Sequence, residues 1–198
     1  LDTVMTMLDR ETFVVYPYLD TDLRSWTLTP VEGSDHFDVA TNADLWSVIA
    51  EAIQVDKVRV LRADEDIRAA EREQWDDGTN FLALAPGVIV GYDRNVTTNT
   101  MLRRNGIEVV TINGNSHDEI REALKNAQTE ADKPTLIIGK TVMGKGARKE
   151  DGSSFERQTS THGMPLGDAG ASFEKTIENL GGDPLDPFVI FDDVAALY

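Results

Sequence analysis

The densest group of polar side chains in the sequence is the acidic segment Glu73-Gln74-Trp75-Asp76-Asp77-Gly78-Thr79-Asn80. Carboxylates grouped in this way could form an acidic rim for a cationic substrate such as a guanidinium, which binds carboxylates with bidentate geometry. The alternative is structural, because Asp-Asp-Gly is typical of a turn whose carboxylates accept hydrogen bonds from neighbouring amides. The segment by itself leaves both interpretations open.

A second group that could do chemistry contains Gly144-Lys145-Gly146 and, further along, His162. An imidazole beside a glycine can donate a hydrogen bond to a phosphate group, although a lone loop histidine is usually only solvated. Gly-Lys-Gly after a strand is weak evidence for a phosphate loop and is also typical of a plain turn.

The composition excludes several classes of function. The 198 residues carry a formal net charge of −16, and binding to nucleic acid needs clustered Lys and Arg, so we predict no nucleic-acid partner. There is no cysteine, which removes disulfides, thiolate metal sites and any Cys nucleophile. No apolar run approaches the roughly 20 residues that span a bilayer. We therefore predict no membrane partner and a cytoplasmic location.

The elements that would position the acidic segment begin with a ββαβ unit. Strands are predicted over 3–8 and 12–16, a helix over 43–53 with Asn42 as its cap, and a strand over 58–61. The stretch between the second strand and the helix, which contains two prolines and a glycine, is predicted to be a loop.

The same order of elements then repeats. A hairpin is predicted over 81–85 and 88–92, a helix over 97–104, and a strand over 107–112. Two successive ββαβ units are typical of a propeller-like array in which each unit covers the next. We therefore predict an α/β fold with part of an α/β-propeller.

The pattern changes after Ile112. Asn115 or Ser116 is predicted to cap a helix over 117–131, and Glu119 completes a capping-box pattern with Ser116. A continuously apolar strand is predicted over 135–138. With the preceding strand these elements predict a partial parallel αβα unit.

The rest of the chain is predicted to be a Gly-rich, charged loop, a helix over 173–180 and a last strand over Phe188–Phe191. The chain begins with Leu1 and ends at Tyr198 without a polar tail, so we expect both ends to be truncated.

Several separated motifs in the first part resemble bacterial arginine deiminase. They occur in the order found in that family and are Leu1–Met7, Ser25–Pro30, Arg72–Asn80, Leu82–Pro86 and Tyr92–Asn95. The resemblance covers about residues 1–112 and implies the α/β-propeller fold of the guanidine-modifying, or pentein, superfamily. It also implies hydrolysis of arginine to citrulline and ammonia through a covalent cysteine adduct, without a cofactor.

The resemblance also implies a role for Asp2, which matches a substrate-binding carboxylate and is our candidate catalytic residue in this part. The family's catalytic His directly precedes the Leu-Asp-Thr motif, so it would lie one residue before Leu1. The family's Cys lies beyond the strand that ends near Ile112, and this chain has none. Asp2 is thus a lone matching position, and a strand-end carboxylate bonded to local amides is its alternative role.

The second part resembles transketolase, from about residue 113 to the end. The motifs that carry this resemblance are Asn113–Asn115, Lys133–Ile137, Lys140–Gly146 and His162–Gly167. They are similar to the last part of that family's diphosphate-binding domain, a parallel α/β unit. The resemblance implies that His162 contacts the cofactor diphosphate and the sugar substrate, as a catalytic and cofactor-binding residue. It places Met143 where the family has an apolar residue against the cofactor.

The cofactor implied by this second resemblance is thiamine diphosphate with a divalent metal. The family's Gly-Asp-Gly metal motif and the glutamate that activates the thiamine ring are both absent from the sequence. Thiamine chemistry needs the cofactor to be held in place from several sides. We therefore predict that the chain has no metal site and does not bind the cofactor.

We interpret the chain as a chimaera of a deiminase-like part, 1–112, and a transketolase-like part, 113–198, with incomplete active sites for both reactions. The implied small-molecule substrates are arginine or a sugar phosphate. Three alternatives stay open: a fragment that works with complementary chains, a fragment for thiamine-dependent ketol transfer, and a non-catalytic acidic module that binds a cationic partner. The oligomeric state is not predicted.

Overall fold

The computed structural model describes residues 3–20 and 22–196 and shows a mixed α/β chain. The chain divides into two compact units, Leu1–Lys140 and Thr141–Tyr198. The sequence predicts that the two family-related parts meet between residues 112 and 113. The compactness of the two units does not test where the families meet, so this division stays a prediction. None of the helices within the described residues is long and apolar enough to cross a membrane.

The first ββαβ unit is present, with an additional hairpin inserted into it. Its elements in chain order are β1 (Met5–Met7), β2 (Thr12–Val15), β3 (Trp26–Pro30), β4 (Phe37–Thr41), α1 (Leu45–Ala52) and β5 (Arg59–Leu61).

Strand β2 is the centre of the first sheet, antiparallel to β1 and parallel to β5. Successive side chains of a strand point to opposite faces. Val14 accordingly joins one buried cluster, whereas Phe13 and Val15 join another with residues of α1. Each fully buried side chain of this size contributes about 1.5–3 kcal/mol to the free energy of unfolding.

Two local predictions in this unit were wrong. The predicted loop contains β3 and β4, which form a separate antiparallel pair, because Trp26 and Leu28 alternate with threonines in the period of a strand. Helix α1 is capped by Asp44, whose carboxylate accepts a hydrogen bond from the Ser47 N–H at 2.6 Å. Asn42 bonds instead to side chains of the β3 region.

The second ββαβ unit is also present, preceded by a helix that was not predicted and followed by the βαβ extension. Its elements are α2 (Ile67–Trp75), β6 (Leu82–Ala85), β7 (Val88–Gly91), α3 (Val96–Arg104), β8 (Glu108–Asn113), α4 (His117–Thr129) and β9 (Thr135–Lys140).

Strand β9 lies between the strands of the second unit. The sheet order is β6-β7-β9-β8, and β9 is parallel to both β7 and β8. In the first unit, by contrast, β2 pairs directly with β5. The first four residues of β9 are buried, as the continuous apolar run predicted, because both faces of the strand are covered.

One buried cluster joins the β1-β2-β5 sheet, the β6-β7-β9-β8 sheet and α3. Alternate residues of β9, Leu136 and Ile138, belong to this cluster, while Ile137 packs on the α4 side. Residues on both sides of position 112 therefore share one core. The cluster consists of Leu8, Val14, Leu61, Phe81, Ile89, Met101, Leu102, Ile107, Leu136 and Ile138.

Helix α4 begins as predicted at Ser116, whose hydroxyl accepts a hydrogen bond from the Glu119 N–H at 3.4 Å. The other half of the capping box was wrong. The Glu119 carboxylate accepts from the Asn113 N–H at 2.7 Å, so it stabilises the end of β8 instead of returning to Ser116.

The 141–198 unit has little regular structure. Helix α5 (Phe173–Asn179) is confirmed and is followed by Gly181 with a φ of 87°, which only glycine adopts readily. The predicted strand over Phe188–Phe191 was wrong, because within the part of the chain that the structure describes these residues pair with no strand. They lead into the short helix α6 (Asp192–Ala195). Phe188 is 90% exposed.

Candidate functional site

The residues that sequence reasoning selected lie at two places in the chain. Asp2 lies outside the residues that the structure describes, and Thr3 is the first described position. Met143 and His162 both belong to the 141–198 unit, and both are exposed. The roles implied for these three residues stay predictions.

Residues 76–79 form the turn that ends α2. The Asp76 N–H donates to the Arg72 carbonyl at 3.0 Å, and Asp77 has a φ of 61°. The Gly78 N–H donates to the Glu73 carbonyl at 2.7 Å, and a Cβ at position 78 would lie 2.8 Å from that carbonyl oxygen. The turn predicted for the acidic segment is therefore confirmed, and its close backbone approach requires a glycine at position 78.

The Glu73 carboxylate caps helix α3. It accepts hydrogen bonds from the Thr97 N–H at 2.9 Å, the Thr98 N–H at 3.1 Å and the Thr98 hydroxyl at 2.6 Å. The side chain of Asn95, the residue before the helix, makes no capping bond. Glu73 thus satisfies amides that a first helical turn leaves unpaired, and it places negative charge at the positive end of the helix dipole. The Glu73 carboxylate is therefore already hydrogen-bonded to other residues of the protein.

An arginine of the chain itself lies against the acidic turn. Arg94 Nε donates to the Asp76 carbonyl at 3.0 Å, and Arg94 Nη2 lies 3.4 Å from Asp77 Oδ2. The guanidinium carbon lies 4.4 Å from the centre of the Tyr92 ring, which adds a cation–π contact. A protein would recognise free arginine with the same chemistry, so an external guanidinium at Asp77 would compete with Arg94.

A cavity of about 390 Å³ opens beside this turn and is lined by Thr3, Gln74, Trp75 and Asp77. Its volume is within the range of small-molecule sites. Trp75 is 89% exposed, so this wall offers an aromatic surface close to the Asp77 carboxylate. Thr3 directly follows Asp2 in the chain, so the wall of this cavity contains the neighbour of the carboxylate that is predicted to bind substrate.

One further carboxyl near α3 has a perturbed affinity for protons. Burial raises the pKa of the Glu65 carboxyl, and the negative charge of Glu73 raises it further. Glu65 Oε2 is buried and has no hydrogen-bond partner within the described part of the chain. This carboxyl therefore keeps its proton to a higher pH than an exposed glutamate.

In the 141–198 unit, the Gly-Lys-Gly turn binds a carboxylate of the chain itself. The Gly146 N–H donates to Glu156 Oε1 at 2.9 Å, and Lys145 Nζ lies 3.5 Å from the same oxygen. The Gly146 hydrogen bond, followed by the charge of Lys145, holds the pKa of the Glu156 carboxyl below its usual range. The turn therefore recognises an anionic oxygen, and Glu156 supplies it.

The segments that contain Met143 and His162 meet at Gly144. A Cβ at Gly144 would lie 3.8 Å from Thr161 Cγ2 and 3.8 Å from Leu166 Cδ2. The Met143 carbonyl accepts a hydrogen bond from the Arg157 N–H at 2.9 Å. The structure thus brings the chain neighbours of both predicted residues together, although the imidazole itself is exposed.

Two residues of these sites were not selected from the sequence. Arg94 belongs to the motif Tyr92–Asn95. The presence of a cationic residue in a motif that follows the acidic segment was the sequence signal that could have identified it. Glu156 lies ten residues from Gly146, in a loop whose pattern carries no periodicity, so no sequence signal identified it.

Comparison with protein families identifies two matches. The family described as arginine deiminase matches residues 1–121, and the transketolase, thiamine diphosphate binding domain, matches residues 92–198. The two matches overlap over residues 92–121, which contain α3 and β8.

Individual arginine deiminases are also similar to part of this chain. The arginine deiminases of Mycobacterium tuberculosis (strain H37Rv) and Mycobacterium bovis (strain AF2122/97) are 47% identical over 116 residues, which is 58% of this chain and 28% of each relative. The arginine deiminase of Rhodococcus opacus is 45% identical over 120 residues, with the same coverage. The chain therefore spans 28% of the length of these curated relatives.

Proposed function

Since residues 1–121 belong to the arginine deiminase family and residues 92–198 to the family of transketolase thiamine diphosphate-binding domains, we infer that this chain is a fusion of two partial enzymes. We propose that these 198 residues catalyse neither arginine hydrolysis nor ketol transfer by themselves.

The absence of cysteine carries the proposal for the deiminase-like part. By family resemblance, hydrolysis proceeds through attack of a cysteine thiolate on the guanidinium carbon. The 198 residues contain no cysteine. Carboxylates can hold the cation, but the family's reaction also requires a nucleophile that forms a covalent bond to carbon.

The contacts of the acidic segment support the same proposal. Glu73 is bound to the first turn of α3, and Asp77 lies against Arg94. The Asp77 pair is partly exposed and contributes at most about 1 kcal/mol, so a substrate could displace Arg94. Displacement would allow binding, and it would not supply the nucleophile.

The residues of the transketolase-like part do not fit thiamine diphosphate. A diphosphate needs several converging donors and a metal ion. The Gly146 N–H and Lys145 are occupied by Glu156, and His162 is exposed. Within residues 3–20 and 22–196, no group of three His, Cys, Asp or Glu side chains could hold a metal. We therefore assign no reaction step to this cofactor.

For the fold, we propose that the two ββαβ units are consecutive blades of an incomplete α/β-propeller. The order ββαβ supports this, since 82–113 has it and 5–61 has it apart from the inserted β3–β4 pair. A blade that lacks neighbours leaves strand edges unpaired. A cytoplasmic location for the chain stays a prediction.

A complementation assay separates the proposal from its main alternative, a fragment that is active with other chains. The chain would be mixed with a deiminase piece that carries the family's catalytic His and Cys segments, and citrulline would be measured with either component alone and with both. We expect no citrulline from the chain alone and none above the level of the piece in the mixture. Citrulline formed only in the mixture would establish the alternative.

The cavity at Thr3, Gln74, Trp75 and Asp77 favours a second candidate function, which is binding of a guanidinium compound without hydrolysis. Calorimetric titration with arginine at two salt concentrations tests it. Binding that persists at the higher salt and is lost in Asp77→Asn would support a site. Heat that disappears at the higher salt would indicate only surface attraction to a chain of charge −16.

A further inference from the structure

A groove on the α3 side of the 1–140 unit combines unpaired positive charge with free volume. Its volume is about 450 Å³. We name it the arginine groove after Arg62 and Arg104 in its wall. The remaining lining residues are Asp64, Val96, Thr97, Thr100, Met101 and Asn105.

Neither arginine of the groove is neutralised by a carboxylate. Within residues 3–20 and 22–196, Arg62 and Arg104 form no ion pair at 4 Å or less. Arg62 Nε is buried and has no hydrogen-bond acceptor in the same residues. A buried charged donor without an acceptor is costly, so the free energy of this unit would improve if an anion accepted that hydrogen bond.

Two arginine side chains line the groove in a chain that carries −16. Arg59 donates to the Asn105 carbonyl at 2.8 Å and to Asn105 Oδ1 at 3.1 Å, which adds a third cation at the rim. Asp64 lines the wall, and Glu73 is bonded to Thr97 behind it. Glu65 interacts with Thr97 as well, so the three arginines face three carboxylates, but neither Arg62 nor Arg104 forms an ion pair with any of them within the described residues.

The remaining wall indicates the class of anion. The hydroxyl of Thr100 belongs to the groove wall. Guanidinium groups bind phosphate oxygens in bidentate geometry. Val96 and Met101 supply an apolar side. The groove volume of about 450 Å³ is many times the roughly 30 Å³ that one water molecule occupies in the liquid. The groove therefore has room for more than a phosphate ion.

We propose that the arginine groove binds the phosphoryl group of a small phosphate monoester. The phosphoryl oxygens accept hydrogen bonds from Arg62 and Arg104, and the carbon part lies along Val96 and Met101. This site lies in the deiminase-like part and does not depend on the proposed loss of catalysis, because it uses none of Asp2, Met143 or His162.

Backbone amide chemical shifts of the full 198-residue chain provide the test. Inorganic phosphate and glycerol 3-phosphate are titrated separately at pH 8, with chloride adjusted to keep the ionic strength constant. We expect saturable shifts at residues 62, 97, 100, 101 and 104 with both compounds, and tighter binding of the ester. Equal binding would assign the groove to free phosphate and overturn the monoester assignment. Shifts that do not saturate, or that spread evenly over the surface, would overturn the site itself.

Variants identify the groups that bind. Arg62→Met and Arg104→Met should each weaken phosphate binding about tenfold or more, the effect of losing a charge-assisted hydrogen bond. Arg103→Met is the matched control, since Arg103 is on the same helix and does not line the groove. If Arg62→Met does not fold, the exposed Arg104 decides the question. A loss of affinity in the control as large as in Arg104→Met would overturn the proposal.

Discussion

Ile89 of β7 and Leu136 of β9 are register partners in parallel strands, and both side chains are completely buried. Ile89 lies in the part that matches only the arginine deiminase family, and Leu136 lies in the part that matches only the transketolase domain. The two families therefore meet within one sheet and one core. The overlap of their matches, residues 92–121, contains α3 and β8, which together with α4 connect the two partners in sequence.

Leu136→Ala should destabilise the 1–140 unit by about 2–5 kcal/mol, because it leaves a cavity where five elements pack. Urea unfolding monitored by circular dichroism gives the free energy of unfolding. Leu185→Ala is the control, since Leu185 is 94% exposed, and it should change that free energy by less than about 0.5 kcal/mol. Equal effects of the two substitutions would show that β9 does not contribute to this core.

Glu73→Ala should cost about 2 kcal/mol, since it leaves the Thr97 and Thr98 amides without an acceptor and removes charge from the start of α3. The matched control is Glu71→Ala, an exposed position on the same helix. Hydrogen exchange of the first α3 amides should accelerate in the Glu73 variant alone. Unchanged protection there would contradict the capping role.

The raised pKa of Glu65 predicts a pH dependence of stability. The folded chain keeps this proton to a higher pH than the unfolded chain, whose carboxyl has a pKa near 4.5. The folded state thus binds more protons within this window, so the free energy of unfolding falls as pH rises from about 4.5 to the raised folded pKa. Glu65→Gln removes this dependence.

The stability of Glu65→Gln relative to the natural chain should therefore increase across that window and stay constant above it. Urea unfolding at a series of pH values from 4 to 8 measures the difference. A difference that is independent of pH, or that decreases as pH rises, would contradict the assigned burial of Glu65.

Gly78→Ala should destabilise the turn after α2 by roughly 1–3 kcal/mol, because the new Cβ would lie 2.8 Å from the Glu73 carbonyl oxygen and the backbone must shift. Gly167→Ala is the control, since a Cβ there meets no atom within 4 Å. Thermal unfolding compares the two. A cost for Gly78→Ala no larger than for Gly167→Ala would show that the close approach is not important.

The features that the sequence predicted correctly are those determined by local pattern. The apolar run of β9, the β1–β2 hairpin and the Ser116 cap each depend on residues close together in the chain. Helix α2 was missed because its polar side chains form part of the acidic segment, although its Ala, Glu, Arg and Gln residues are good helix formers.

The features that sequence reasoning could not supply depend on distant partners. The position of β9 between β7 and β8 is set by nonlocal pairing, and a run of apolar residues does not specify which strands it joins. The same applies to Glu73 with Thr97, and to Glu156 with Gly146. Phe188–Phe191 shows the converse, because this apolar run has no neighbouring strand among residues 3–20 and 22–196 and forms no strand itself.

The central claim is that these residues lack the cysteine nucleophile that the family's hydrolysis of arginine requires. The most direct measurement follows arginine labelled with ¹³C at the guanidinium carbon by NMR during a long incubation with the purified chain. The proposal predicts only the arginine carbon signal, at every protein concentration. A citrulline carbon signal that grows in proportion to the concentration of the chain, and that Asp2→Asn abolishes, would contradict it.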